Sequence, residues 1–194
     1  MYPYHMYHHE FVLVWYMNLI EPARCASITI IAIFALIRCA ETPDRLDTVY
    51  TDPQFCFRIE APDTGWSLTD ATGIPNVLLV IKSDNPVDGF YPNVTVSIEN
   101  LTINMTEEEY GEQNKLLLLS QGFAIISTRS IVTQNIRCFE IACERTEAET
   151  IMRFGQLCLV RNRIGYIITR IMPERVPNRI QREMDMIARS FRFI

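Results

Sequence analysis

The sequence has only three histidines, His5, His8 and His9, and none after residue 9. Everything downstream therefore lacks the imidazole that Ser-His-Asp and Cys-His hydrolases, His-ligated zinc and ordinary histidine acid–base catalysis require. Glycine is sparse as well. Its seven occurrences stand singly, with no G-x-G-x-x-G and no G-x-x-x-x-G-K-[ST], so the loops that cradle nucleotide phosphates are missing. The six cysteines contain no C-x-x-C pair. A basic excess is absent too: the net charge of -5 argues against a nucleic-acid partner, because counterion release needs a concentrated basic surface. No catalytic set, metal site or cofactor is expected on these grounds.

What charge there is lies unevenly. Residues 40–150 carry 7 Lys/Arg against 18 Asp/Glu, whereas residues 151–194 carry 9 Arg against 3 acids. The two stretches are expected to lie side by side and partly neutralise each other. The alternative is a basic face, and the arginines that would make it are Arg170, Arg175, Arg179, Arg182, Arg189 and Arg192.

Near the N-terminus, Cys25 to Ile37 is a run of thirteen uncharged, mostly apolar residues between Arg24 and Arg38. That is the length of a signal-peptide h-region and short of the roughly 20 residues that a membrane-spanning helix needs. Residues 1–40 are therefore expected to be a leader, 41–50 a linker and 51–194 the folded domain. Met17 is a second possible start, which would give the leader ordinary proportions. Leu36-Ile37-Arg38-Cys39 is similar to a lipobox, with Arg38 where a small residue belongs. Lipidation of Cys39, cleavage near Ala40 and retention as an uncleaved anchor all stay open. Each places the domain outside a membrane.

The rest reads as strands, a helix, more strands and a final helix. Gln54–Glu60 and Asn93–Glu99 alternate apolar and polar residues, and Val77–Lys82 is a continuous apolar run suited to a strand covered on both faces. Thr106-Glu-Glu-Glu109 is a capping box, which starts a helix running to Gln121, with Gly122 placed to end it. Phe123–Thr133, Arg137–Arg145, Thr150–Val160 and Ile164–Met172 form an antiparallel meander. In the last segment Ile180, Met184, Ile187, Ala188 and Phe191 line one helical face, leaving Arg182, Asp185, Arg189 and Arg192 to solvent.

This order of elements, with Phe57-Arg-Ile-Glu-Ala-Pro-Asp-Thr-Gly-Trp66, Pro92-Asn-Val-Thr-Val96, Gly165-Tyr-Ile-Ile-Thr169 and Ile187-Ala-Arg-Ser-Phe191, resembles the PsbP-like superfamily over about residues 50–194. That group includes DcrB-like bacterial lipoproteins. The resemblance implies an α+β fold, a central antiparallel sheet of about six strands flanked by helices on both faces. It also implies a non-enzymatic role. PsbP proteins are extrinsic subunits on the lumenal side of photosystem II, and the bacterial relatives are envelope proteins.

The expected function is an exported, membrane-associated binding or assembly module that contacts a protein partner, with Arg175, Arg179, Arg182, Arg189 and Arg192 as its partner surface. The alternatives are an exported carboxylate- or metal-dependent hydrolase using Asp84, Asp88 and Glu99, or a small-ligand carrier. Of the domain's four cysteines, Cys143 shares the parity of Phe139 and Ile141 and should pack in the core, while Cys138 shares that of Glu140. Buried thiols and a disulfide among Cys56, Cys138, Cys143 and Cys158 both remain open.

Overall fold

A computed structural model describes residues 49–71, 74–147 and 149–194. The leader, Met17, Cys39 and the three histidines lie outside the described residues. Among the described residues no helix is long and apolar enough to cross a membrane.

The described residues build ten strands and two helices. In order they are β1 (Val49–Asp52), β2 (Phe57–Glu60), β3 (Trp66–Asp70), β4 (Val77–Ser83), β5 (Asn93–Asn100), α1 (Glu107–Ser120), β6 (Ala124–Thr133), β7 (Ile136–Glu147), β8 (Thr150–Arg161), β9 (Ile164–Pro173), α2 (Asn178–Ser190) and β10 (Arg192–Phe193). Seven strands form one antiparallel sheet in the order β3-β4-β5-β9-β8-β7-β6, and β1-β2-β10 form a second. The expectation of about six strands is thus corrected to seven, with a small sheet beside them. Strand β1 begins inside the stretch expected to be linker.

Side chains alternate across a strand, so the pairing register sorts the large sheet into two faces. Val94, Val96, Leu157, Leu159, Tyr166 and Ile168 share one face, packed with Phe57 and Ile59 of the small sheet and with Ile180, Met184, Ile187 and Ala188 of α2. Ile141, Cys143, Phe154, Cys158 and Ile167 share the other, where α1 packs on β6, β7 and β8. The expected sandwich of helices on both faces is therefore inexact. One face carries α2 together with the small sheet, and the other carries α1 over half its width. This explains β4: Leu79 and Ile81 are buried, but Leu78 and Val80 on the second face are only partly so, where burial on both faces was expected.

The capping box forms as its residue types require. Thr106 Oγ1 accepts the Glu109 N–H at 3.2 Å and Glu109 accepts the Thr106 N–H at 2.8 Å. Two close approaches hold α1 down: a Cβ at Gly111 would run into the Phe139 ring, and one at Gly165 into the Tyr110 ring.

Helix α2 ends differently from its expected course. Phe191 leaves the helix and stacks on Phe57 at 5.2 Å, beside Tyr166 at 5.8 Å, so Arg192 joins β10 against β2 and not the helix surface. Aromatic pairs of this geometry contribute roughly 0.5–1.5 kcal/mol beyond their buried area.

Candidate functional site

The arginine-rich segment supplies both the underside and the outer face of α2. Its inner stripe is apolar. Arg179, Arg182, Met186 and Arg189 follow at three- and four-residue spacing on the opposite side and are all exposed. The helix is moored along its length: Trp66 Nε1 donates to Glu183 at 3.0 Å, Thr133 Oγ1 donates to the Arg189 carbonyl at 3.2 Å, and Ser190 Oγ accepts the Glu60 N–H at 2.8 Å.

The arginines divide into three kinds. Arg175 and Arg182 are exposed and make no ion pair among the described residues. Arg179 pairs loosely with Glu183 at 3.4 Å, and Arg192 is tied to Glu60 at 2.8 Å. Arg170 belongs to no surface: its side chain is 12% exposed, under α2. Its Nη2 donates to Glu140 Oε1 at 3.1 Å, and Nη1 meets Asp185, which was expected in solvent and lies partly buried. Burial pulls the Arg170 guanidinium below its usual pKa, and Glu140 opposes that shift.

Glu140 is the hub of this cluster and is nearly buried. Besides Arg170 it accepts Arg129 Nε from β6 and has Arg189 Nη2 at 4.0 Å. A buried carboxylate is tolerated only when paired, and here three guanidiniums surround it. The expected neutralisation between the acidic and arginine-rich stretches is realised through Glu140 and Glu60. Sequence reading missed Glu140, because its alternation with Cys138 resembled a solvated face. Cys138 is itself buried, since α2 covers that side.

The alternative carboxylates are not brought together. Asp84 accepts the Ser67 hydroxyl, Asp88 sits in an exposed loop at φ 49°, and Glu99 accepts the Tyr110 hydroxyl at 3.2 Å. Lys82 pairs with Asn93, so Asp84 and Asp88 lie past one end of β5 while Glu99 is six residues along it, about 20 Å away. Among the described residues no group of three or more metal-ligating side chains is assembled. The four cysteines of the domain are all free.

The architecture has close counterparts among solved structures. Cyanobacterial PsbP (CyanoP) from Synechocystis sp. PCC 6803 superposes with a TM-score of 0.58 at 15% identity, over 80% of this chain and 98% of that one. The fold is PsbP-like. A protein from Bacteroides thetaiotaomicron superposes with a TM-score of 0.51 at 11% identity, over 76% of this chain and 48% of that one. No family model matches the sequence, and no curated protein is significantly similar to it. At these identities the PsbP-like likeness is one of fold, and the site has to be read from this chain's own residues.

Proposed function

We propose that this chain is an exported, membrane-tethered module of PsbP-like or DcrB-like type. In this reading it has a binding or assembly role rather than a catalytic one, works on the outer side of a membrane, and docks an acidic protein surface on the outer stripe of α2. The observation that carries the reading is the exposed pair Arg175, just before α2, and Arg182, one turn from the exposed Met186, which have no acid to answer them among the described residues. Exposed guanidiniums around an apolar side chain suit a partner with carboxylates around an apolar patch.

The test is the double charge reversal Arg175→Glu with Arg182→Glu, compared with wild type in quantitative affinity purification from native membranes. Both side chains are exposed, so melting temperature should hold within a few degrees. Co-purified protein should fall at least tenfold, and wild-type retention should weaken as salt rises. An unchanged set of partners overturns the α2 site.

A further inference from the structure

Strand β6 closes the large sheet, and among the described residues it pairs with β7 alone. It is ten residues long, it contains no proline, and Ile126 and Val132 are 56% and 65% exposed. Such an edge presents a row of unpaired N–H and C=O groups, and sheets ordinarily blunt it with a free charge, a proline or a short strand. Here the strand's one charged residue, Arg129, is drawn onto Glu140 of the neighbouring strand. A bulge between Ile125 and Ser127 turns away the first residues, leaving Ser127–Thr133 as a regular edge about 24 Å long.

The charge around Glu140, beside the middle of that edge, is not balanced. Arg129, Arg170 and Arg189 face Glu140 and Asp185, three guanidiniums against two carboxylates. Arg170 is enclosed, so the uncompensated positive charge is presented by Arg129 and Arg189, 63% and 46% exposed. The Arg189 carbonyl also holds Thr133 at the end of β6. An open backbone edge calls for an extended chain, and the excess guanidinium next to it calls for a carboxylate on that chain.

We propose that β6 takes up an extended, acidic segment of a partner protein as an added antiparallel strand. A glutamate or aspartate of that segment would lie opposite Arg129, and aliphatic side chains would lie on the face of Val132. This deepens the reading of the chain as a protein-binding module and rests on it. A second copy is the poorer occupant, because pairing two β6 strands brings both sets of excess arginine to the same side of the joined sheet.

The probe is a blocked ten-residue synthetic peptide of alternating valine and threonine with one central glutamate, and its lysine counterpart is the control. Binding to the full chain is followed by amide hydrogen exchange. The glutamate peptide should protect the β6 amides that do not bond to β7, and the lysine peptide should bind at least tenfold more weakly. Ser127→Asp, which places an acid two residues from Arg129 on the same face, should weaken the glutamate peptide at least tenfold. Arg129→Gln should abolish the preference between the two peptides.

Four outcomes overturn the proposal. One is no protection of β6 at millimolar glutamate peptide, and another is equal binding of both peptides. The third is protection, in the unliganded monomer, of the β6 amides that do not bond to β7, which would mean the chain's own N-terminal segment covers the edge. The fourth is protection that appears with dimerisation in sedimentation, which would mean a second copy does. None of these touches the α2 reading, which stands or falls on Arg175 and Arg182.

Discussion

Gly155 and Arg170 face each other across the β8–β9 pair, and the Arg170 guanidinium occupies the space that a side chain at 155 would need: a Cβ there would lie 2.5 Å from Nη2. The glycine lets arginine lie flat on the sheet and reach Glu140 one strand further on. Gly155→Ala is expected to push the guanidinium off this seat and to cost about 1–3 kcal/mol, the range for overpacking a filled site. Chemical denaturation of Gly155→Ala, Arg170→Met and the double variant checks it. If the alanine acts through Arg170, its cost falls by more than half in the Arg170→Met background; an equal cost in both would place the strain elsewhere.

Glu140 answers more guanidiniums than any other acid in the fold among the described residues, which makes it the most sensitive ionic position. Glu140→Gln leaves the enclosed Arg170 with Asp185 as its one remaining acid among the described residues, and removing one member of a buried pair costs up to about 3–5 kcal/mol. Exposed pairs such as Arg153–Glu174 contribute at most about 1 kcal/mol, so Glu174→Gln is the matched control. Replacing the buried pair together, Glu140→Leu with Arg170→Met, should recover at least half the loss. A Glu140→Gln protein as stable as the Glu174→Gln control in urea would contradict the hub assignment.

How far the sequence disclosed this arrangement depended on element length. Strands β5, β8 and β9 are eight residues or longer, and their alternating or continuous apolar pattern was legible at once. Strands β1 and β10, at four and two residues, are too short to show a period, and they exist because Phe57, Tyr166, Phe191 and Phe193 pack together over long sequence separations. The helix start at Thr106 was readable because a capping box is a local device. The Glu140 cluster was not, because it joins β6, β7, β9 and α2, and no local pattern reports which arginines a fold encloses.

The cysteines give a prediction in alkali. Burial pushes the thiols of Cys138 and Cys143 up to about 12 and raises Cys158 as well. An unfolded thiol titrates near 8.5, so above about pH 9 the folded chain binds more protons than the unfolded one and stability falls as pH rises. Each such group contributes up to about 1.4 kcal/mol per pH unit across that window. Melting temperature should drop steeply between pH 9 and pH 11 by the shifts just given, and Cys143→Ala should flatten the slope. A slope unaffected by the substitution would assign the alkaline loss to other groups.

The same thiols settle the disulfide question left open by the sequence. In the register Phe139 lies opposite Cys158, so Cys138 points to the other face of the sheet from Cys158, and Cys143 is four residues along, about 13 Å away. Cys138 and Cys158 are diagonal neighbours whose Cβ atoms point to opposite faces, and Cys143 and Cys158 lie beyond the roughly 4.4–6.8 Å Cα separation typical of a disulfide, so neither pair can bond without moving the sheet. Native alkylation with iodoacetamide followed by peptide mass spectrometry should therefore label Cys56 alone among these four, the exposed one, and denaturation without reductant should expose Cys138, Cys143 and Cys158 to the reagent. A mass two protons light in the denatured, unreduced domain would contradict the register.

Two tight hairpins are closed by pairs other than the one most favoured for their geometry. Gln134 and Asn135 turn β6 into β7 at φ 49° and 62°, and Asn162 and Arg163 turn β8 into β9 at φ 53° and 62°. Positive φ at both central positions is the type I′ geometry, for which Asn-Gly is the favoured pair. Arg163 has a compensating contact, donating from Nη2 to the Thr102 carbonyl at 2.9 Å, and Leu101 N–H donates to its carbonyl. Gln134 and Asn135 are exposed and have no such tie among the described contacts. Gln134→Asn with Asn135→Gly should therefore stabilise the domain by about 0.5–1 kcal/mol, a rise of a few degrees in melting temperature. Arg163→Gly relieves the same strain but loses the link to Thr102, so its gain should be smaller or reversed. Equal gains at the two hairpins would show that the Arg163–Thr102 contact contributes nothing.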